Sequence, residues 1–180
     1  MRIISGKYKK INLEGFNING TRPTMDRVKE SMFAMIQDKI KGATVLDLFA
    51  GSGALGIEAL SMGAKKCYLV DNNIIAIDTI KKNMLKLKDA NYQIIKQDFV
   101  NALVNLKKEH QKFDLIILDP PYQSGYLNKA IQIIYDYDLL NHEGLIVCEY
   151  ENIELISNKF RVYKEKQFGT KIVTILENDL

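Results

Sequence analysis

Residues 44–56 (TVLDLFAGSGALG) constrain the fold more than any other stretch. Val45, Leu46, Leu48 and Phe49 form a short apolar run of the kind that lies in a parallel sheet covered on both faces. Gly51, Ser52 and Gly53 cannot prolong that strand. They allow a sharp turn and let a ligand approach the backbone closely. From Ala54 onward the composition is helical, and Gly63 stands where a helix stop is expected.

The turn and its helix spell G-x-G-x-x-G (Gly51, Gly53, Gly56), a pattern that is weak alone. An acid, Asp71, follows Gly51 by twenty positions and ends a second apolar run, Cys67-Tyr68-Leu69-Val70. That spacing suits a carboxylate bonded to ribose hydroxyls. A nicotinamide dinucleotide and S-adenosylmethionine both satisfy these features. Asp47 separates them, because a carboxylate just before the glycines repels a pyrophosphate but suits the ammonium of a methionine moiety. The methyl donor is the expected cofactor.

The remaining chain extends the same theme. Strands are expected at 44–49, 66–71, 92–96, 113–119 and 145–150, with helices at 54–62, 74–87, 99–109 and 126–137 between them. This alternation predicts right-handed βαβ units in a doubly wound α/β fold. Two further strands, 160–166 and 171–177, are separated by a connection too short for a parallel crossover, so they form an antiparallel hairpin. The expected sheet therefore has seven strands. Ahead of it, residues 1–20 are irregular or hairpin-like, and a helix runs from Thr24 as N-cap to about Lys41, with Asp26 in its first turn. One domain over 1–180 is expected: an arm at 1–23, a leading helix at 24–41 and a Rossmann-like core at 43–178.

Composition narrows the function classes. Hydrophobic residues make up 47% of the 180, enough for a full core. No apolar run reaches membrane-spanning length and no signal peptide is evident, so a cytoplasmic protein is expected. Two cysteines, Cys67 and Cys148, and two histidines indicate neither a disulfide framework nor a metal site. Net charge is +3, but residues 1–30 hold seven basic groups against three acidic ones. A basic lead segment on a near-neutral body points to a polyanionic partner.

The chemistry concentrates at Asp119-Pro120-Pro121-Tyr122, which ends the run Phe113–Leu118. Two prolines fix φ and remove two N–H donors, leaving a rigid corner of acceptors: the Asp119 carboxylate and the Pro120 carbonyl. An exocyclic base amine is a poor nucleophile because its lone pair is delocalised. Two acceptors holding its hydrogens would pyramidalise the nitrogen. Tyr122 would stack on the base, worth roughly 1–3 kcal/mol. The rate would come from positioning and electrostatics. Around the same crevice Asp47, Asp71 and Asp98 also stand at strand ends, Asp98 with a competing role as helix N-cap.

At these residues the chain resembles S-adenosylmethionine-dependent amino-methyltransferases of Rossmann fold. More closely it resembles the bacterial RsmD family, which methylates N2 of one guanine in 16S ribosomal RNA. The start MRIISGKYK, the segment RPTMDRVKE (22–30) and the turn Phe168-Gly169-Thr170 carry the closer match, which runs from residue 1 to about 177. The resemblance implies roles at matching positions. Asp47, Gly51 and Gly53 would line the methionine end of the cofactor, and Phe49 and Asn72 would also contact it. Asp71 would hold its ribose and Asp98 its adenine amino group, with Phe99 packed near the base. Asp26 and Arg27 would close over the cofactor. Asp119, Pro120, Pro121 and Tyr122 would hold the guanine. The basic arm (Lys7, Lys9, Lys10, Arg22) would grip RNA phosphates. The implied partner is 16S ribosomal RNA within a small-subunit assembly intermediate, bound by a monomer without metal. Met25 departs mildly from the family, where a second small polar residue is common.

Three other readings fit less well. A DNA amino-methyltransferase shares the corner but usually needs a separate target-recognition region. A nicotinamide oxidoreductase conflicts with Asp47, and His110 and His142 lie in polar connections. A non-catalytic RNA-binding assembly factor would not need the corner.

Overall fold

Alternating strands and helices build one continuous sheet with helices on both faces. The computed structural model describes residues 1–15, 23–122, 125–155 and 158–179. In chain order the elements are α1 (Pro23–Ile36), β1 (Thr44–Asp47), α2 (Ala54–Ser61), β2 (Lys66–Asp71), α3 (Ile74–Met84) and β3 (Tyr92–Lys96). Then come α4 (Phe99–Lys108), β4 (Phe113–Leu118), α5 (Tyr126–Asp136), β5 (Leu140–Glu151), β6 (Phe160–Phe168) and β7 (Lys171–Asn178). The strands lie in the order β3-β2-β1-β4-β5-β7-β6. The first five in sequence are parallel to one another, and β7 inserts antiparallel between β5 and β6. This is the doubly wound α/β sheet with a C-terminal hairpin that the sequence predicts.

Period-two alternation explains why the strands read as unbroken apolar runs. Val45, Cys67, Leu69, Leu115 and Ile117 face a core shared with α1, α2 and α3. Leu46, Tyr68, Val70, Ile116 and Leu118 face a second core packed by α4 and α5. Both faces are covered, so neither register position can be polar without a partner.

Element ends differ from expectation where tertiary bonds decide them. β1 stops at Asp47 rather than at 49, although Leu48 N–H still donates to Ile117 O (3.2 Å). β5 begins at Leu140 rather than 145, because Leu140 pairs with Phe113 ahead of a register shift. The leading helix ends at Ile36 and tightens into a 3-10 turn, Gln37–Lys39. It starts at Pro23, so Thr24 lies inside its first turn rather than at the cap. A proline at the first helical position loses no bond, because that N–H has no partner in a helix.

Residues 1–15 form a small clasp closed by an Arg2–Asn12 bridge and docked on α2. The Glu58 carboxylate accepts from Ile4 N (3.1 Å) and Ser5 N (2.8 Å). The same carboxylate pairs with Lys29 of α1 at 3.1 Å, and Lys29 Nζ donates to Arg2 O at 2.9 Å. One buried charge pair thus ties the clasp, α1 and α2 together. Among the described residues no helix is long and apolar enough to cross a membrane.

Candidate active site

Strand order reverses about β1 and β4, and ligands in open α/β sheets collect outside the carboxyl ends at such a point. A cavity of about 600 Å³ lies there. Its wall takes in Phe49, Gly51 and Ser52 after β1, Asp71 and Asn72 after β2, and Gln97 and Phe99 after β3. Asp119 to Tyr122 after β4 complete it, with Glu149 from β5 and Lys171 from β7.

The glycine turn is built by its neighbours. Gly51 (φ +56°) and Gly53 (φ +83°) occupy the left-handed region, where a side chain would strain the backbone. Gly53 caps α2 and has no side chain to offer the helix amides. Asp47 supplies the missing acceptor from behind: its Oδ2 takes the Gly56 N–H at 2.9 Å. Asp71 braces the front, accepting from Gly51 N (2.9 Å) and Asn73 N (2.9 Å). Asn83, fully buried, donates to Ser52 O (2.9 Å) and to Glu14 O (2.8 Å), fastening the turn to the N-terminal clasp.

Asp47 corrects the sequence reading. Its side chain is 1% exposed and lies behind the turn rather than in the cavity wall, where a cofactor ammonium would sit. Its Oδ1 has no hydrogen-bond partner among the described residues. Burial raises its pKa to about 7, the Gly56 bond opposes that, and the Asp71 charge adds to it. Asp98 stands at the start of α4. Its oxygens accept from Asn101 as the N-cap of α4, which lowers its pKa, and Gln97 rather than Asp98 reaches the cavity. The N-cap role named from the sequence is therefore filled, and it can coexist with a contact to adenine.

Other expected residues fall as follows. Phe49 and Phe99 lie 5.2 Å apart by ring centroids, and Tyr126 joins them at 6.3 Å and 5.0 Å, a cluster the sequence did not indicate. Asp26 lines the cavity, whereas Arg27 is exposed outside it. Lys7, Lys9 and Lys10 are exposed on the clasp, where Lys7 N–H donates to Ser61 O at the far end of α2. That is about one helix length, roughly 12 Å, from the glycine turn. Arg22 lies outside the described residues.

The acceptor corner is held open. Asp119 faces the cavity without a hydrogen-bond partner among the described residues. Burial first, then the Glu149 charge, hold its carboxyl well above the usual carboxylate range, against a weaker pull from Lys171. Pro120 is buried, while Pro121 and Tyr122 are exposed. Tyr122 donates its hydroxyl to Glu149 Oε1 at 3.2 Å, and burial pushes its pKa up to about 12. Lys171 donates to the same oxygen at 3.0 Å. Burial alone would lower the Lys171 pKa; its bonds to Tyr122 and Glu149 raise it instead. Sequence reasoning missed Glu149 and Lys171. The available signal was one acid closing an otherwise apolar run, Leu145-Ile146-Val147-Cys148.

A glycine cradle, a carboxylate in the cavity wall, an aromatic cluster and an open acceptor corner suit S-adenosylmethionine in shape and donor chemistry, and the cavity lies within the usual 300–1,000 Å³ of ligand sites. Fold and site together define the class, a Rossmann-like methyltransferase. The chain matches the family described as Conserved hypothetical protein 95 over residues 1–177. It belongs to that family. It is 43% identical to "Putative rRNA methyltransferase YlbH" of Bacillus subtilis over 152 residues, covering 84% of this chain and 83% of that protein. It is 33% identical over 172 residues to "Ribosomal RNA small subunit methyltransferase D" of Escherichia coli, covering 94% and 85%. The solved structure of "Putative methyltransferase yhhF" from Escherichia coli superposes with a TM-score of 0.86 at 30% identity, over 99% of this chain and 98% of that one.

Proposed function

We propose that this protein methylates the exocyclic N2 amine of one guanine in 16S ribosomal RNA, using S-adenosylmethionine. The observation that carries the reading is the Asp119-Pro120 corner, which lines the same cavity as the glycine turn and whose Asp119 carboxylate has no hydrogen-bond partner among the described residues. The relatives named as small-subunit rRNA methyltransferases support the RNA class.

The cofactor would be held by the Gly51–Gly53 turn, by Asp71 and Asn72, and by the ring of Phe99. When bound it supplies an electrophilic methyl group on a sulfonium. Every other task falls to the chain. Asp119 and the Pro120 carbonyl accept the two hydrogens of the amine and turn its lone pair out of conjugation. Tyr122 offers an aromatic face to the base. The amine must lose one proton as it gains a carbon substituent. The Asp119 carboxylate takes that proton, and its raised proton affinity favours the transfer. Most of the acceleration comes from holding the reacting groups in line.

The substrate is a small-subunit assembly intermediate, and the enzyme acts on it as a monomer in the cytoplasm. Lys7, Lys9 and Lys10 support an RNA footprint that extends beyond the cavity to the clasp. The test supplies labelled methyl donor and small subunits from a strain lacking the enzyme, then maps the label by mass spectrometry. A single N2-methylguanosine is expected. Label on an adenine or cytosine amine, or transfer to DNA alone, overturns the reading.

A further inference from the structure

The pair that sequence reasoning missed has a use beyond packing. In β4 and β5, Leu118 stands opposite Cys148, so Asp119, just past the end of β4, and Glu149, still within β5, follow neighbouring register positions. Lys171 comes from β7, the next strand over. The side chains of Glu149 and Lys171 are 9% and 25% exposed, joined at 3.0 Å, and both line the cavity. Lys171 and Tyr122 both donate to Oε1 of the Glu149 carboxylate. Among the described residues none reaches Oε2, which keeps its acceptor capacity. A largely buried ion pair is a poor device for stability, because desolvation offsets much of its attraction. An apolar pair would pack β5 against β7 as well.

The chemistry of base edges supplies the reason. Beside its 2-amine, guanine carries a ring N–H donor and then a carbonyl acceptor. Beside its amine, adenine carries a bare ring nitrogen, and so does cytosine. A carboxylate next to the amine-holding corner complements guanine and sets lone pair against lone pair for the other two. The strand order β4-β5-β7 places Asp119, Glu149 and Lys171 in the sequence in which guanine presents amine, N–H and carbonyl.

We propose that Glu149 and Lys171 select the base: Glu149 accepts the ring N–H beside the transferred amine, and Lys171 donates to the neighbouring carbonyl. The inference rests on the reading that a base amine is the methyl acceptor.

The test uses small subunits reconstituted with 16S RNA in which the methylated guanosine is replaced by 2-aminopurine. This base keeps the 2-amine but has a bare ring nitrogen and no carbonyl. The wild-type enzyme should prefer guanosine by about 100-fold in kcat/KM, from two lost hydrogen bonds of about 10-fold each. Glu149→Gln should lower guanosine methylation about 10- to 100-fold and narrow the preference, because the amide can turn its NH2 toward the bare nitrogen. Lys171→Met should narrow it too. A wild-type enzyme that methylates both bases equally overturns the proposal. So do variants that slow both bases by one factor, the signature of a structural role. If Glu149→Gln does not fold, Lys171→Met and the wild-type ratio decide. No methylation of guanosine by wild type would sink the underlying reading instead.

Discussion

Replacing Asp47 with asparagine should change the sign of its effect on stability between acid and neutral pH. Asp47 is buried, and its pKa rises from 3.8 to about 7 in the fold. A carboxyl that holds its proton more tightly when folded loses stability on ionising. Below pH 4 both states keep the proton and the penalty is absent. Between pH 4 and 7 the unfolded chain has released it and the folded chain has not, so stability falls by about 1.4 kcal/mol per pH unit. Across that interval the loss reaches ~4 kcal/mol and then levels off. Asparagine keeps an oxygen for the Gly56 N–H and has no charge to bury. Its NH2 group, however, would occupy the place of Oδ1, which has no partner among the described residues, at a cost of about 1–3 kcal/mol. The variant should therefore be less stable than wild type near pH 4 and more stable near pH 8. Urea unfolding of both proteins from pH 4 to 8 reads the difference directly. A constant offset across that range would refute the argument that Asp47 carries a buried, penalised charge.

Three further perturbations probe the site. Asp119→Ala should lower kcat by about 10²–10⁴-fold while leaving S-adenosylmethionine affinity nearly intact by calorimetry, since it removes the amine acceptor and the proton acceptor together; equal loss of both would reassign the residue. Gly56→Ala would place a methyl group 2.8 Å from Cys67 Sγ, 2.9 Å from Leu69 Cδ2 and 3.2 Å from Asp47 Oδ2. It should destabilise by about 1–3 kcal/mol, and an unchanged melting temperature would contradict the packing of α2 on β1 and β2. The acid limb of kcat/KM should lie well above the usual carboxylate range, because Asp119 must be ionised to accept the amine hydrogens. Glu149→Gln removes a neighbouring negative charge, so the limb should move to lower pH; a shift to higher pH would show that another group governs it.

Much of this protein is legible along the chain because its signals are local. The bounds of β2 and β3 follow from the apolar runs 66–71 and 92–96 and the turns that enclose them. The glycine turn follows from backbone conformations that side chains strain, and the Asp119-Pro120-Pro121-Tyr122 corner from two fixed φ angles. These features need no distant partner. Others depend on which strands become neighbours. Glu149 lies 30 residues beyond Asp119 and Lys171 lies 22 beyond Glu149. Only the parallel pairing of β4 with β5, and the insertion of β7 beside β5, brings the three to one cavity wall. Asp47 carries the same lesson in reverse. Its place before the glycines suggested a ligand contact, but the direction of one side chain at the end of β1 decided between the cavity and the back of the turn. Residue type and spacing determine which groups are present; strand register and side-chain facing determine which of them meet, because neighbours in a sheet come from segments far apart in the chain.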